Sequence, residues 1–157
     1  MKEKSSKLVR FLVIFLLAAY LFLLAYLTFF SHYYGRGERL FRNANFIPFK
    51  TILFYLNSGM DWITVTNLAG NIAAFVPLGF LLPLSFKKMR SFLKVLLAAL
   101  LVTVIIETGQ YLLIVGSADI DDVFLNLLGA MAGYFFYKVL IFIWKALTTS
   151  RAFAPLK

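Results

Sequence analysis

Residues 11–30 read FLVIFLLAAYLFLLAYLTFF, twenty residues without a charge. A hydrocarbon core about 30 Å thick needs about 20 helical residues to cross it. This run therefore predicts a membrane-spanning helix. Lys2, Lys4, Lys7 and Arg10 precede it. A basic start followed by an apolar run also fits a secretory signal. The run is too long for one, and Leu27-Thr28-Phe29-Phe30 offers no small-residue cleavage site. It is read as a retained helix.

Three further apolar runs follow, at about 68–86, 95–115 and 123–146. Pro77 lies inside the second and Pro83 near its end. Pro77 removes a backbone donor and crowds the carbonyl of Ala73, which predicts a kink. Between residues 31 and 66 lies a long connection. Within it, Phe46 to Leu56 is mostly apolar but too short to span. A short interfacial or re-entrant helix starting at Pro48 is expected there, because proline suits a first helical turn. The predicted fold is a single all-α membrane domain over 1–157, with about four transmembrane helices and that short helix in the first outer loop.

Composition agrees. The chain is 62% hydrophobic and 15% charged, with a mean hydropathy of +0.86. It has no cysteine, which excludes a disulfide framework, a cysteine metal site and a thiol nucleophile. The net charge of +9 would suit nucleic acid, but the placement of the charges argues otherwise. Short cytoplasmic loops collect Lys and Arg. With the N-terminus inside, the inner side carries twelve basic residues and one acid. The outer side carries four basic residues (Arg36, Arg39, Arg42, Lys50) and six acids (Glu38, Asp61, Glu107, Asp119, Asp121, Asp122). The basicity is thus a topology signal. Both termini are expected in the cytoplasm, and no nucleic-acid partner is expected.

The polar residues inside the apolar runs fall at one depth. Asn67 and Asn71 lie four apart at the outer start of the second helix. Glu107 and Gln110 lie three apart at the outer end of the third, with Thr103 on the same face one turn deeper. Asp119, Asp121 and Asp122 form the next turn, and Asn126 follows one turn into the fourth helix. Ionisable groups at such a depth usually face a bundle interior or a watery cavity. Plainer roles stand beside a functional one. Asp119 and Asp122 fit a helix cap and a first-turn acid. Thr66 or Asn67 fits a cap of the second helix. Asn71 and Asn126 fit helix-to-helix bonds, and Gly129 and Gly133 fit close packing. Glu107 lies too deep for a cap. It is expected to be partnered or functional, with Arg36, Arg39 and Arg42 as available partners.

These residues resemble the VanZ-like family of small bacterial membrane proteins, named for a teicoplanin-resistance accessory protein. Arg42-Asn43-Ala44-Asn45-Phe46-Ile47-Pro48-Phe49 is similar to the family's outer-loop signature. Gly70-Asn71-Ile72, then Phe75-Val76-Pro77-Leu78-Gly79-Phe80, is similar to its Gly-Asn…Phe-x-Pro-Leu-Gly helix. Glu107 with Gln110, and Asp119-Ile120-Asp121-Asp122 with Asn126 and Gly129, are similar to its later motifs. Gly116 stands where family members often carry Arg, so the resemblance implies that a charge partner for the aspartates is either missing or supplied by Arg36, Arg39 or Arg42. The resemblance implies a multi-pass protein of the bacterial cell membrane that affects glycopeptide susceptibility.

Three function classes follow. The first is a non-enzymatic envelope protein that binds a lipid-linked cell-wall precursor or a glycopeptide in an outer-leaflet pocket. Its ligand-binding residues would be Asn45, Asn71, Glu107, Gln110, Asp119, Asp121, Asp122 and Asn126. Arg36, Arg39 and Arg42 would bind an anion, since Arg presents a fork of donors that matches phosphate. The second is a membrane enzyme using Glu107 and the aspartates on a lipid-linked substrate. The third is a small proton-coupled carrier. No Ser/His or His-rich constellation supports catalysis, so the first class is preferred. No cofactor and no metal are expected, and membrane lipids are the expected partners.

Overall fold

The computed structural model describes residues 2–30, 43–57, 59 and 62–152. Among them run helix α1 (Lys2–Phe29), strand β1 (Asn43–Asn45), helix α2 (Lys50–Asn57), helix α3 (Trp62–Ser85), helix α4 (Phe92–Leu113), strand β2 (Ser117–Asp119) and helix α5 (Ile120–Ala152). A turn of 3-10 helix at Lys87–Met89 joins α3 to α4. Segments Lys7–Phe29, Thr64–Ser85, Phe92–Leu113 and Ile120–Thr148 are each long and apolar enough to cross a membrane. The chain is an all-α membrane protein, with four such helices and the short α2 among the described residues.

The closest pair is α3 with α5. A Cβ built on Gly129 would lie 2.0 Å from the carbonyl oxygen of Ile72, and one on Gly133 2.0 Å from that of Val76. From the other side, a Cβ on Gly79 would lie 2.0 Å from the carbonyl oxygen of Ala130. The backbones therefore touch where side chains would hold them apart. Lipid offers no hydrophobic drive between helices, so close backbone packing has to supply the attraction. The packing role read for Gly129 and Gly133 holds.

Phe75, Leu78, Ala99, Ile106 and Ala130 fill the bundle centre, and Leu17 and Leu24 of α1 join them. Tyr20 of α1 donates its hydroxyl to the Ala74 carbonyl at 2.7 Å. At the far end Val95, Tyr134 and Tyr137 form a second cluster, and the Tyr134 hydroxyl donates to the Arg90 carbonyl at 2.9 Å.

Several expected boundaries move. Helix α3 starts at Trp62, not near 68, because Thr64, Thr66 and Asn67 are helical though they lower the local hydropathy. Thr66 and Asn67 therefore lie inside the helix and do not cap it. The Thr66 hydroxyl donates back to the Trp62 carbonyl at 2.7 Å. Helix α3 stays helical through Pro77 and Pro83. Helix α2 starts two residues after Pro48, following a turn in which Phe49 takes φ 63°. It buries none of its residues fully, and Leu53, Phe54 and Leu56 are exposed.

The sequence reading contained no strands. Strands β1 and β2 pair in parallel, with Asn43 opposite Ser117 and Asn45 opposite Asp119. This pair ties the long connection to the α4–α5 turn and makes one end of the bundle polar.

Candidate functional site

At the polar end the three aspartates do three different jobs. Asp119 closes β2 and caps α5: its Oδ1 accepts the Asp121 N–H at 2.9 Å, as expected of a cap. The same oxygen accepts from Asn45 Nδ2 at 3.0 Å, and Oδ2 accepts from the Thr51 hydroxyl at 2.6 Å. Asp121 is fully buried. Its Oδ1 accepts the Phe49 N–H at 2.6 Å, and its Oδ2 the N–H groups of Thr51 and Ile52 at 2.8 and 3.1 Å. A carboxylate on α5 thus serves the orphan donors at the start of α2, where the helix dipole also favours a negative charge. Asp122, one residue on, turns to another neighbour. Its Oδ1 accepts from Asn71 Nδ2 of α3 at 2.5 Å.

The α4 residues brace the same end. Glu107 is buried, and its Oε2 accepts the Asp119 N–H at 2.9 Å. Gln110 donates Nε2 to the Thr28 carbonyl at the end of α1, 3.0 Å away. Deeper, Asn126 Nδ2 donates to the Thr103 hydroxyl at 2.8 Å. The α4–α5 turn starts with Ile114 at φ 58°, and the Val115 N–H returns to the Gln110 carbonyl at 3.1 Å.

These groups surround a cavity of about 640 Å³, within the range of roughly 300–1,000 Å³ common for small-molecule sites. Asn71, Glu107, Gln110, Asp119, Asp122 and Asn126 all line it. Helix α2 contributes Thr51 and Tyr55, and α1 contributes Leu24, Leu27 and Thr28. One step deeper along the helices, Ala74, Phe75 and Ile106 give an apolar wall.

Two expected site residues do not line the cavity. Asp121 points its carboxylate at the start of α2. Asn45 bonds Asp119 and Thr51 and accepts the Ile47 N–H at 3.2 Å. Both are braces of the wall. Arg36, Arg39 and Arg42 lie outside the described residues. Among the described residues, no group of three or more His, Cys, Asp or Glu is placed to hold a metal ion.

Sequence reasoning did not reach Thr51, Tyr55 or Trp62, all on the cavity wall. Their place depends on the docking of α2 and the early start of α3. A threonine just inside a short helix after Pro48 was the one visible signal, and it is a weak one.

No curated protein matches the chain, and no solved structure matches it. The family model described as VanZ/LLP1 matches residues 16–143, a span that holds α2, α3 and α4 whole, most of α5, half of α1 and every residue of the cavity. The chain belongs to the VanZ/LLP1 family.

Proposed function

We propose that this VanZ/LLP1-family protein is a non-enzymatic binding protein of the bacterial plasma membrane. It holds the headgroup of a lipid-linked or glycopeptide-related envelope ligand at its polar end and thereby alters glycopeptide susceptibility. The observation that carries the reading is the cavity of about 640 Å³ walled by five helices. Its mouth is polar and its deeper wall apolar, which suits an amphiphile entering head outward.

The polar end faces outside in this reading, because the basic residues gather at the other end. Both termini then lie in the cytoplasm. Arg36, Arg39 and Arg42 belong by sequence to the outer connection, and guanidinium groups suit an anionic part of such a ligand.

Native mass spectrometry of gently extracted protein tests the binding. A co-purifying amphiphile is expected, lost when Thr66→Phe fills the cavity mouth. Teicoplanin susceptibility of cells with and without the protein tests the consequence. No adduct on the intact protein, together with unchanged susceptibility, would refute the proposal.

A further inference from the structure

The cavity's hydrogen-bonding character narrows the headgroup, and the argument rests on reading the cavity as an amphiphile site. Two of its amides have orientations fixed by their partners. Asn71 must present Nδ2 to the Asp122 carboxylate, and Gln110 must present Nε2 to the Thr28 carbonyl, because those oxygens only accept. The amide oxygens of Asn71 and Gln110 are then left as acceptors, and among the described residues they accept no hydrogen bond. No Lys, Arg or His is among the described residues that line the cavity.

Such a lining selects by charge. A phosphate inside would face Glu107, Asp119 and Asp122 without a cationic partner among the described lining. The three carboxylates already accept from the Asp119 N–H, from Asn71, and from Thr51 and Asn45. Their remaining lone pairs accept from hydroxyl and ammonium donors alike, so a phosphatidylethanolamine probe decides between the two. The fixed acceptors are neutral amide oxygens, and neutral acceptors suit hydroxyl donors. The Tyr55 and Trp62 rings at the wall offer flat apolar faces for the C–H face of a pyranose ring. Ala74, Phe75 and Ile106 receive the carbons beyond it.

We infer that the cavity takes an uncharged sugar headgroup of an outer-leaflet glycolipid, with Asn71 and Gln110 accepting from its hydroxyls. Any phosphate on the same ligand stays outside the described lining.

The test uses the full chain in a detergent with a polyoxyethylene head. Trp144, far from the cavity, is changed to Phe so that Trp62 is the sole tryptophan, excited selectively over the tyrosines. The probes are octyl glucoside below its micelle concentration and short-chain phosphatidylglycerol and phosphatidylethanolamine. Saturable change of Trp62 emission with the glucoside alone is the expected result. Gln110→Leu should weaken that binding about tenfold, the effect of losing one buried hydrogen-bond acceptor. Thr66→Phe should abolish it without touching the buried bonds, which guards against misfolding of the Gln110 variant. Equal or better binding of either phospholipid would overturn the sugar assignment and leave the amphiphile reading intact. Failure of every probe would sink both. Glucoside binding unchanged in both variants would also overturn the assignment.

Discussion

The Asp121 carboxylate accepts the backbone N–H of Phe49 at 2.6 Å, across 72 positions of chain. Phe49 sits at φ 63°, a left-handed conformation that costs a non-glycine residue roughly 1–2 kcal/mol. Two further N–H groups, from Thr51 and Ile52, reach Oδ2 and bring the backbone donors on this carboxylate to three. Helix α2 buries none of its residues fully, so this one side chain is its chief polar anchor. Because α2 places Thr51 and Tyr55 on the cavity, Asp121 sets the shape of a site that it does not itself line.

Asp121→Asn should therefore loosen α2 selectively. The new amide turns a donor toward N–H groups that need an acceptor, at a cost of about 1–3 kcal/mol. Hydrogen exchange should rise in residues 43–57 while α3, α4 and α5 stay protected. Wild-type exchange across 43–57 would show that α2 is held by other contacts.

Gly133→Ala should damage the bundle itself. The added carbon would lie 2.0 Å from the Val76 carbonyl oxygen, and backbone cannot swing aside as a side chain can. Separating α3 from α5 should cost about 3 kcal/mol and lower accumulation in the membrane. Gly109→Ala is the control. Its added carbon meets only the Phe29 ring, at 2.9 Å, and a ring at a helix end can rotate away. Equal accumulation of the two variants would contradict the packing account.

How far the site was legible follows the same physics. Asn71, Glu107, Gln110 and Asn126 stand out because each is polar within an apolar run, and helical spacing puts them at one depth. The division of labour among Asp119, Asp121 and Asp122 was not legible. Helix α5 starts at Ile120, so successive residues point about 100° apart. Asp121 then turns to α2 and Asp122 to α3. Nor was the β1–β2 pair visible, since three residues such as Asn43-Ala44-Asn45 are too few for alternation to register. The early start of α3 was missed because hydropathy reports apolar content rather than helix, and Thr64, Thr66 and Asn67 are polar yet helical.

Cysteine labelling checks the orientation, and the chain has no native cysteine to interfere. Ser91 precedes α4 at the basic end, and Lys50 opens α2 at the polar end. In intact cells Lys50→Cys should react with an impermeant maleimide, and Ser91→Cys should react only after the membrane is opened. Labelling of position 91 in intact cells would invert the topology and place the cavity on the cytoplasmic side.

Glu107→Gln separates a functional carboxylate from a structural one. Glu107 lines the cavity and holds the Asp119 N–H with Oε2 at 2.9 Å. Glutamine keeps an acceptor oxygen at nearly the same place, so the tie to β2 should survive and the fold with it. What changes is the charge. If the carboxylate contributes to ligand binding or to the envelope phenotype, the variant should accumulate normally and lose either one. If Glu107 is only a brace, phenotype should follow abundance, and both should stay near wild type because the hydrogen bond is kept. Membrane abundance and teicoplanin susceptibility must be read on the same variant, since either alone fits both accounts. Asp122→Asn completes the comparison. Its remaining oxygen can still accept from Asn71, and Asp119 rather than Asp122 caps α5, so this variant should also fold. Loss of phenotype in both variants at full abundance would assign the function to the acidic lining. Full abundance with wild-type phenotype in both would remove the carboxylates from the function.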